Sequence, residues 1–214
     1  MTKTRHRLTA VSDTTPAIAK IACRELSGVI WVSRFPGSVS LSDLAPPFQD
    51  YANAFIDALK AAGAVVSIAA TYRPLERAYL MHWSWLIAKA GQDPRKVPST
   101  PGVSIQWDHQ DDEGEYSSER SIDAAKAMTK AYGIDTLAIA PALISRHTAR
   151  CAVDMSIRWH GALGILSADG SHVCIAEGPK TGMNRQLHMV GATYGVIKYN
   201  QRGQDRPHWS DTGA

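Results

Sequence analysis

Apolar residues recur at three- and four-residue steps through Phe48, Tyr51, Phe55 and Leu59, which predicts a helix with one buried face. Ser42 or Asp43 can cap its start, and Gly63 its end. Residues 64–69 read as a strand buried on both faces or nearly so. Pro74 suits the first turn of a second helix, where its missing N–H costs nothing. That helix runs to about Ala90, buries Leu80, Trp83, Leu86 and Ile87, and stops at Gly91. Periodicity then fades. Residues 92–118 carry Pro94, Pro98 and Pro101, and a stretch of this length is expected to serve as a lid or binding loop. Ser117 or Ser118 opens a third helix, with Ala124, Ala127, Met128 and Ala131 inward and Gly133 as its stop. Residues 152–157 form a strand. Two apolar runs, 163–166 and 172–175, flank Asp169-Gly170, a strong hairpin signal. Asn184 caps a fourth helix through Leu187, Val190 and Tyr194, ended by Gly195. A strand over 196–199 and a turn over 201–204 follow. This order predicts an α+β fold with one small central antiparallel sheet flanked by helices. Residues 1–34 are expected to be an N-terminal extension, partly helical from Thr15-Pro16 through Ile18, Ile21 and Cys23, and residues 35–214 a single domain.

Bulk properties narrow the function classes. A chain of 214 residues with 44% apolar content fits one domain with a real core. The net charge of +3 is scattered, without the Lys/Arg run that marks nucleic-acid binding. Residues 1–20 are polar and lack the apolar core of a secretory signal. The apolar run Val29-Ile30-Trp31-Val32 is too short to enter a bilayer. The expectation is therefore a protein made in the cytoplasm, a monomer that neither inserts in membranes nor binds nucleic acid. Three cysteines, Cys23, Cys151 and Cys174, have no paired spacing and predict no disulfide framework.

The candidate chemistry lies in two stretches. Ser145-Arg146-His147 runs through Cys151 to Asp154, and Asp205-Arg206-Pro207-His208-Trp209 lies near the end. They supply two imidazoles and two carboxylates. Catalytic zinc takes three nitrogen or oxygen ligands and keeps one open position. His147, Asp154 and His208 fit that demand. Asp205 precedes His208 by three residues, with Pro207 stiffening the turn, so both side chains can reach one water. Arg73 follows a strand and precedes a helix. Its forked, permanent charge suits a substrate carboxylate or an oxygen that becomes negative. Singly, each of these residues is more often structural; their joint occurrence is the signal. Cys151 reads as a small inward residue, not a ligand. The acidic run 108–113 lacks the Gly and terminal Glu of a calcium loop and reads as solvated. Trp83 and Trp85 read as core and boundary residues, not a sugar platform, and His82 and His188 as packing residues.

The first stretch resembles the Ser-x-His-(x6)-Asp signature of the zinc D,D- and L,D-peptidases (VanY-like) that cut the peptide stems of bacterial cell wall. The second is similar to the Asp-x-Pro-His-(Trp/Phe) ending of the family's phage-endolysin branch, the L-alanyl-D-glutamate type. Thr71-Tyr72-Arg73-Pro74 matches the family's Tyr-Arg motif. The resemblance runs from about Phe35 to Trp209. It implies a fold like that of D-alanyl-D-alanine carboxypeptidases and hedgehog domains, with zinc at the sheet edge. It also implies Zn2+ as cofactor, the peptidoglycan stem peptide as partner, and action on the wall after release. His147, Asp154 and His208 would be ligands. Asp205 and Arg73 would be catalytic, and Ser145, Tyr72 and Trp209 would orient ligands, bind substrate or wall the site. One position departs: Arg150 stands where the family usually has Gly. A D-alanyl-D-alanine carboxypeptidase and a wall-binding protein with impaired catalysis are the alternatives, and Arg150 is the feature that favours the latter.

Overall fold

The computed structural model describes residues 24–199 and 207–214. It opens with β1 (Glu25–Leu26), α1 (Phe48–Ala61), β2 (Val65–Ala70) and α2 (Leu75–Ala90). Three two-residue strands follow, β3 (Ile105–Gln106), β4 (His109–Gln110) and β5 (Tyr116–Ser117), and then α3 (Ser118–Tyr132). The C-terminal half holds β6 (Ala152–Arg158), β7 (Leu163–Leu166), β8 (His172–Ile175), α4 (Arg185–Thr193), β9 (Ile197–Lys198) and β10 (His208–Ser210). The fold is α+β, as the element order predicts. No described helix is long and apolar enough to cross a membrane.

The main sheet has the order β2-β6-β10-β9, with every neighbouring pair antiparallel. Strand β6 alternates cleanly: Val153, Met155 and Ile157 are buried, while Asp154, Ser156 and Arg158 face the other way. Its core face packs with Phe48, Phe55, Ile56 and Leu59 of α1 and with Leu187 and Val190 of α4. Trp209 of β10 lies across from Val153 on this face, wholly buried, its ring 5.5 Å from that of Phe55. The resemblance assigns Trp209 to the wall of the functional site. The pleat puts it on the opposite face from His208, in the core.

A second core lies between α2 and α3. It holds Tyr79, Leu80 and Ile87, Ala125 and Met128, and Trp31, Ile105 and Trp107 from outside the helices. Trp107 Nε1 donates to Tyr79 Oη, whose own hydrogen goes to the Pro98 carbonyl at 2.8 Å. This packing corrects two expectations. Residues 92–118 do not form a lid: Val103, Ile105 and Trp107 bury into the helix pair, because bulky apolar side chains drive the segment inward despite its irregular backbone. The first domain boundary also falls too late. Strand β1 pairs in parallel with β3, and Trp31 is core, so residues 24–34 belong to the fold. The helix expected over residues 15–23 and the turn over 201–204 lie outside the described residues.

Smaller differences have local causes. Helix α1 begins only at Phe48, because a residue before proline avoids helical dihedrals and Pro47 has no N–H to donate. Ser42 and Asp43 sit in a separate short 3-10 turn. Strand β2 is an edge strand whose residues alternate between exposed and half-buried, not buried on both faces. Trp83 and Leu86 of α2 are half-buried, while Leu80 and Ile87 are core. The inward stripe of α3 is Ser121, Ala125, Met128 and Thr129, with Ala131 exposed. An alanine-rich helix offers little contrast between faces, so its rotation is set by its partner.

Glycine at 191 follows from the packing around Trp209. A Cβ there would lie 2.8 Å from both the Trp209 ring and the Val196 carbonyl oxygen. Gly191→Ala is therefore expected to destabilise the protein, and Trp209→Ala to cost about 3–5 kcal/mol. Denaturant midpoints test both, and a shift under 1 kcal/mol for Trp209→Ala would contradict this account of the core.

Candidate metal centre

His208 and Asp154 are cross-strand partners on β10 and β6. Both point to the face opposite Trp209. Directly opposed residues have Cβ atoms about 4.5–5.5 Å apart, so the pairing alone brings the two side chains together. His208 Nδ1 stands 3.1 Å from Asp154 Oδ1. These are the two inner strands, so the pair sits over the middle of the sheet and not at its lateral edge.

His147 arrives from the turn before β6. Cys151 N–H donates to the Arg146 carbonyl, and Arg150 N–H to the His147 carbonyl. This six-to-one and five-to-two pattern is the Schellman closure, whose penultimate residue takes a left-handed conformation and is usually Gly. Here it is Arg150, at φ 61°, the only described non-glycine residue with positive φ. The position where the resembling family keeps Gly is thus the left-handed residue of this turn. Arg150 meets the requirement at a steric cost and lays its guanidinium 4.4 Å over the Tyr72 ring. The end of β2 fixes His147 from the other side. The Arg73 N–H donates to its carbonyl, and its ring Nδ1 lies 2.8 Å from the Thr71 carbonyl oxygen.

Three atoms converge: His147 Nε2, Asp154 Oδ1 and His208 Nδ1. Each pair is 3.1 Å apart. Metal–ligand bonds of about 2.0–2.2 Å at tetrahedral angles would place ligand atoms roughly 3.3–3.5 Å apart, close to this triangle. The outer contacts set the protonation. A carbonyl accepts only from N–H, so His147 carries its hydrogen on Nδ1 and presents a lone pair at Nε2. His208 Nε2 lies 3.2 Å from the Ala214 oxygen, which leaves a lone pair at Nδ1. Three electron-rich atoms therefore face one point. Both rings are about 95% buried, so bulk water does not screen them. One proton relieves a single edge of the triangle, whereas a divalent cation satisfies all three. The donor set fits such an ion, with the ring N–H groups held as metal-binding histidines require.

The triad opens into a cavity of about 630 Å³ whose lining includes Arg73, Ser145 and Tyr199. Arg73 lines the same cavity as the triad. Ser145 lines the cavity, but its hydroxyl has no hydrogen-bond partner among the described residues and orients no ligand. Thr148 does the anchoring instead: its hydroxyl accepts from the Ser145 N–H and donates to the Ser145 carbonyl. Tyr72 lies under Arg150, outside the cavity lining. Asp205 lies outside the described residues. Cys151 Sγ contacts the Ala149 carbonyl and takes no part in the triad. In the acidic run, Asp111 accepts backbone N–H groups of its own turn and Asp112 pairs with Arg120, so it is a folded solvated loop.

Several contributors escape sequence reading. Thr71 and Ala214 act through backbone oxygens, which no side-chain pattern encodes. Arg146 makes a two-pronged contact with Asp211, tying the His147 turn to the chain beyond β10. Tyr199 sets its ring edge-on to His208, centroids 5.7 Å apart. An opposite-charge pair 65 residues apart carries no sequence signal. The aromatic just after β9 does, since a strand end beside a ligand strand is where a wall residue belongs. The chain matches no family model and no curated protein sequence.

Two predictions follow from this geometry. The protein is expected to bind one divalent cation per chain in equilibrium dialysis. His147→Ala or Asp154→Asn should weaken that binding by more than the roughly 10–100-fold typical of losing an outer-shell partner. Undiminished uptake by either variant would exclude the triad. At the turn, Arg150→Gly removes about 1–2 kcal/mol of left-handed strain and loses about 0.5–1 kcal/mol of stacking. Arg150→Ala keeps the strain and loses the stacking. The glycine variant should therefore be the more stable of the two by about 1 kcal/mol in chemical denaturation, and the reverse order would refute the strain argument.

Proposed function

We propose that this protein is a zinc-dependent peptidase of bacterial cell wall, an endolysin-type L,D-endopeptidase that cuts peptidoglycan stem peptides. The observation that carries the reading is the buried triangle of His147 Nε2, Asp154 Oδ1 and His208 Nδ1 at 3.1 Å spacing, open to a cavity that Arg73 also lines. The Ser-x-His-(x6)-Asp and Asp-x-Pro-His motifs support the same assignment. So does the Schellman turn, since Arg150 preserves the backbone form that the family's Gly would give. That geometry favours a working enzyme over a wall-binding protein with impaired catalysis.

Zinc, when held by the triad, supplies Lewis acidity that makes water reactive near pH ~7. The chain's own groups do the rest. The Thr71 and Ala214 oxygens keep both ring N–H groups turned away from the reaction. Arg73 presents a permanent cation to the amide oxygen as negative charge grows there. Asp205, assigned from sequence alone, takes the proton of the attacking water and returns it to the amide nitrogen. The C–N bond breaks, leaving a carboxylate and an amine. In this reading the protein is made in the cytoplasm, works as a monomer and meets the wall after release.

The test is digestion of purified sacculi with mass spectrometry of the fragments. Cleavage between L-Ala and D-Glu is expected, abolished by a strong chelator and restored by zinc. Release of free D-alanine instead would establish a carboxypeptidase. Asp205→Asn should keep its zinc and lose at least 100-fold in turnover, within the usual range for general acid–base groups. Full lysis by metal-stripped protein would refute the mechanism.

A further inference from the structure

The cavity beside the triad has two unlike sides. One is polar, with the triad and Arg73. The other is aliphatic, built from Met81 of α2, from Ile134, and from Leu137, Pro141, Ala142 and Ile144 of the segment that follows α3. Within the eight residues 137–144, four large aliphatic side chains are exposed: Leu137 at 45%, Ile139 at 67%, Leu143 at 38% and Ile144 at 80%. Single exposed aliphatics are ordinary, but a contiguous group at a cavity mouth marks a binding surface.

The segment is held in place. His82 Nδ1 lies 2.7 Å from the Pro141 carbonyl oxygen, and Trp85 Nε1 donates to the Leu137 carbonyl at 3.2 Å. Both donors come from α2. They occupy backbone acceptors on the inner side and leave the Leu137 and Ile144 side chains turned to the cavity. Ile144 also borders a second, apolar groove lined by Leu75, Tyr79, Trp83, Pro98 and Leu143. Ile144 is thus common to the cavity beside the triad and to this groove.

We infer that this wall is a substrate subsite, and that the metal centre also accepts, besides stem peptides, amides bearing an extended apolar group, acyl or side chain, next to the scissile bond. The inference rests on the metal-hydrolase reading and goes beyond it. An alanyl methyl of a stem peptide offers this wall a single carbon, whereas an unbranched alkyl chain offers apolar contact along it.

The test uses zinc-loaded protein and a series of straight-chain hydroxamates: aceto-, butano-, hexano- and octanohydroxamate, with binding measured by calorimetry. The hydroxamate anchors at the metal and the tail reports on the wall. Affinity is expected to rise roughly threefold to fourfold per methylene. In Leu137→Ser and Ile144→Ser, whose side chains are exposed and whose zinc content serves as the folding control, the slope with chain length should fall by at least half. If acetohydroxamate binds and longer tails add nothing, the subsite is overturned while the metal centre stands. A normal slope in both variants likewise overturns it. If zinc is not retained or no hydroxamate binds, the metal reading falls and this inference with it.

Discussion

One register holds the molecule's chemistry in place: Trp209 opposite Val153, and His208 opposite Asp154, on the antiparallel pair β6 and β10. Side chains alternate along a strand, so these two pairings are one event seen from two faces. The core face buries an indole completely against Phe55, and the other face delivers a carboxylate to an imidazole. A slip by one residue would push Trp209 into the polar cavity and His208 into the core. The hydrophobic cost of that exchange is what fixes residues 54 positions apart in contact. Strand β10 is only three residues long, too short to hold register by its ladder alone, so the buried tryptophan supplies the discrimination.

The third ligand depends on backbone conformation. His147 rides on a Schellman turn whose closure demands a left-handed residue, and its ring and carbonyl are clipped to the end of β2. The Tyr-Arg motif acquires a physical meaning here. Its backbone holds the histidine, its arginine faces the cavity, and its tyrosine braces Arg150 from below. Gly relieves the strain at position 150, and Arg partly offsets it by stacking. A non-glycine residue can thus hold the left-handed position and keep the turn closed.

Much of this was legible in the chain, and the failures have specific causes. Helix stops at Gly91 and Gly133, caps at Ser117 and Asn184, and the Asp169-Gly170 hairpin are encoded by adjacent residues, and the structure has them all. The triad was legible because His147, Asp154 and His208 occur jointly in two stretches that resemble a known family's motifs, and the structure brings their side chains together. Trp209 was not, although the signal existed: two consecutive strand residues face opposite ways, so a ligand at 208 excludes a wall residue at 209. Recognising that required knowing that 208–210 is a strand, and three residues show no period. Residues 92–118 misled for the converse reason. Prolines and short strands hide a segment whose few apolar residues, Val103, Ile105 and Trp107, all point inward. Edge and centre of a sheet differ only in neighbours, so the half-exposure of β2 had no local mark.

The triangle also explains why the site sits against a rigid core. Three lone-pair atoms 3.1 Å apart repel one another unless positive charge lies between them. A flexible scaffold would relieve that repulsion by turning a ring aside, and metal binding would then have to restore the order. Here ring rotation is opposed. Rotation of His147 breaks its bond to the Thr71 carbonyl, rotation of His208 breaks its contact with the Ala214 oxygen, and the β6 pleat directs Asp154 to the same face. The Lys198 ammonium, donating to the His208 carbonyl at 2.9 Å, fastens the strand itself. The hydrophobic face thus fixes the strand register, and the turn fixes the third ring, so the three donor atoms are brought together by folding itself.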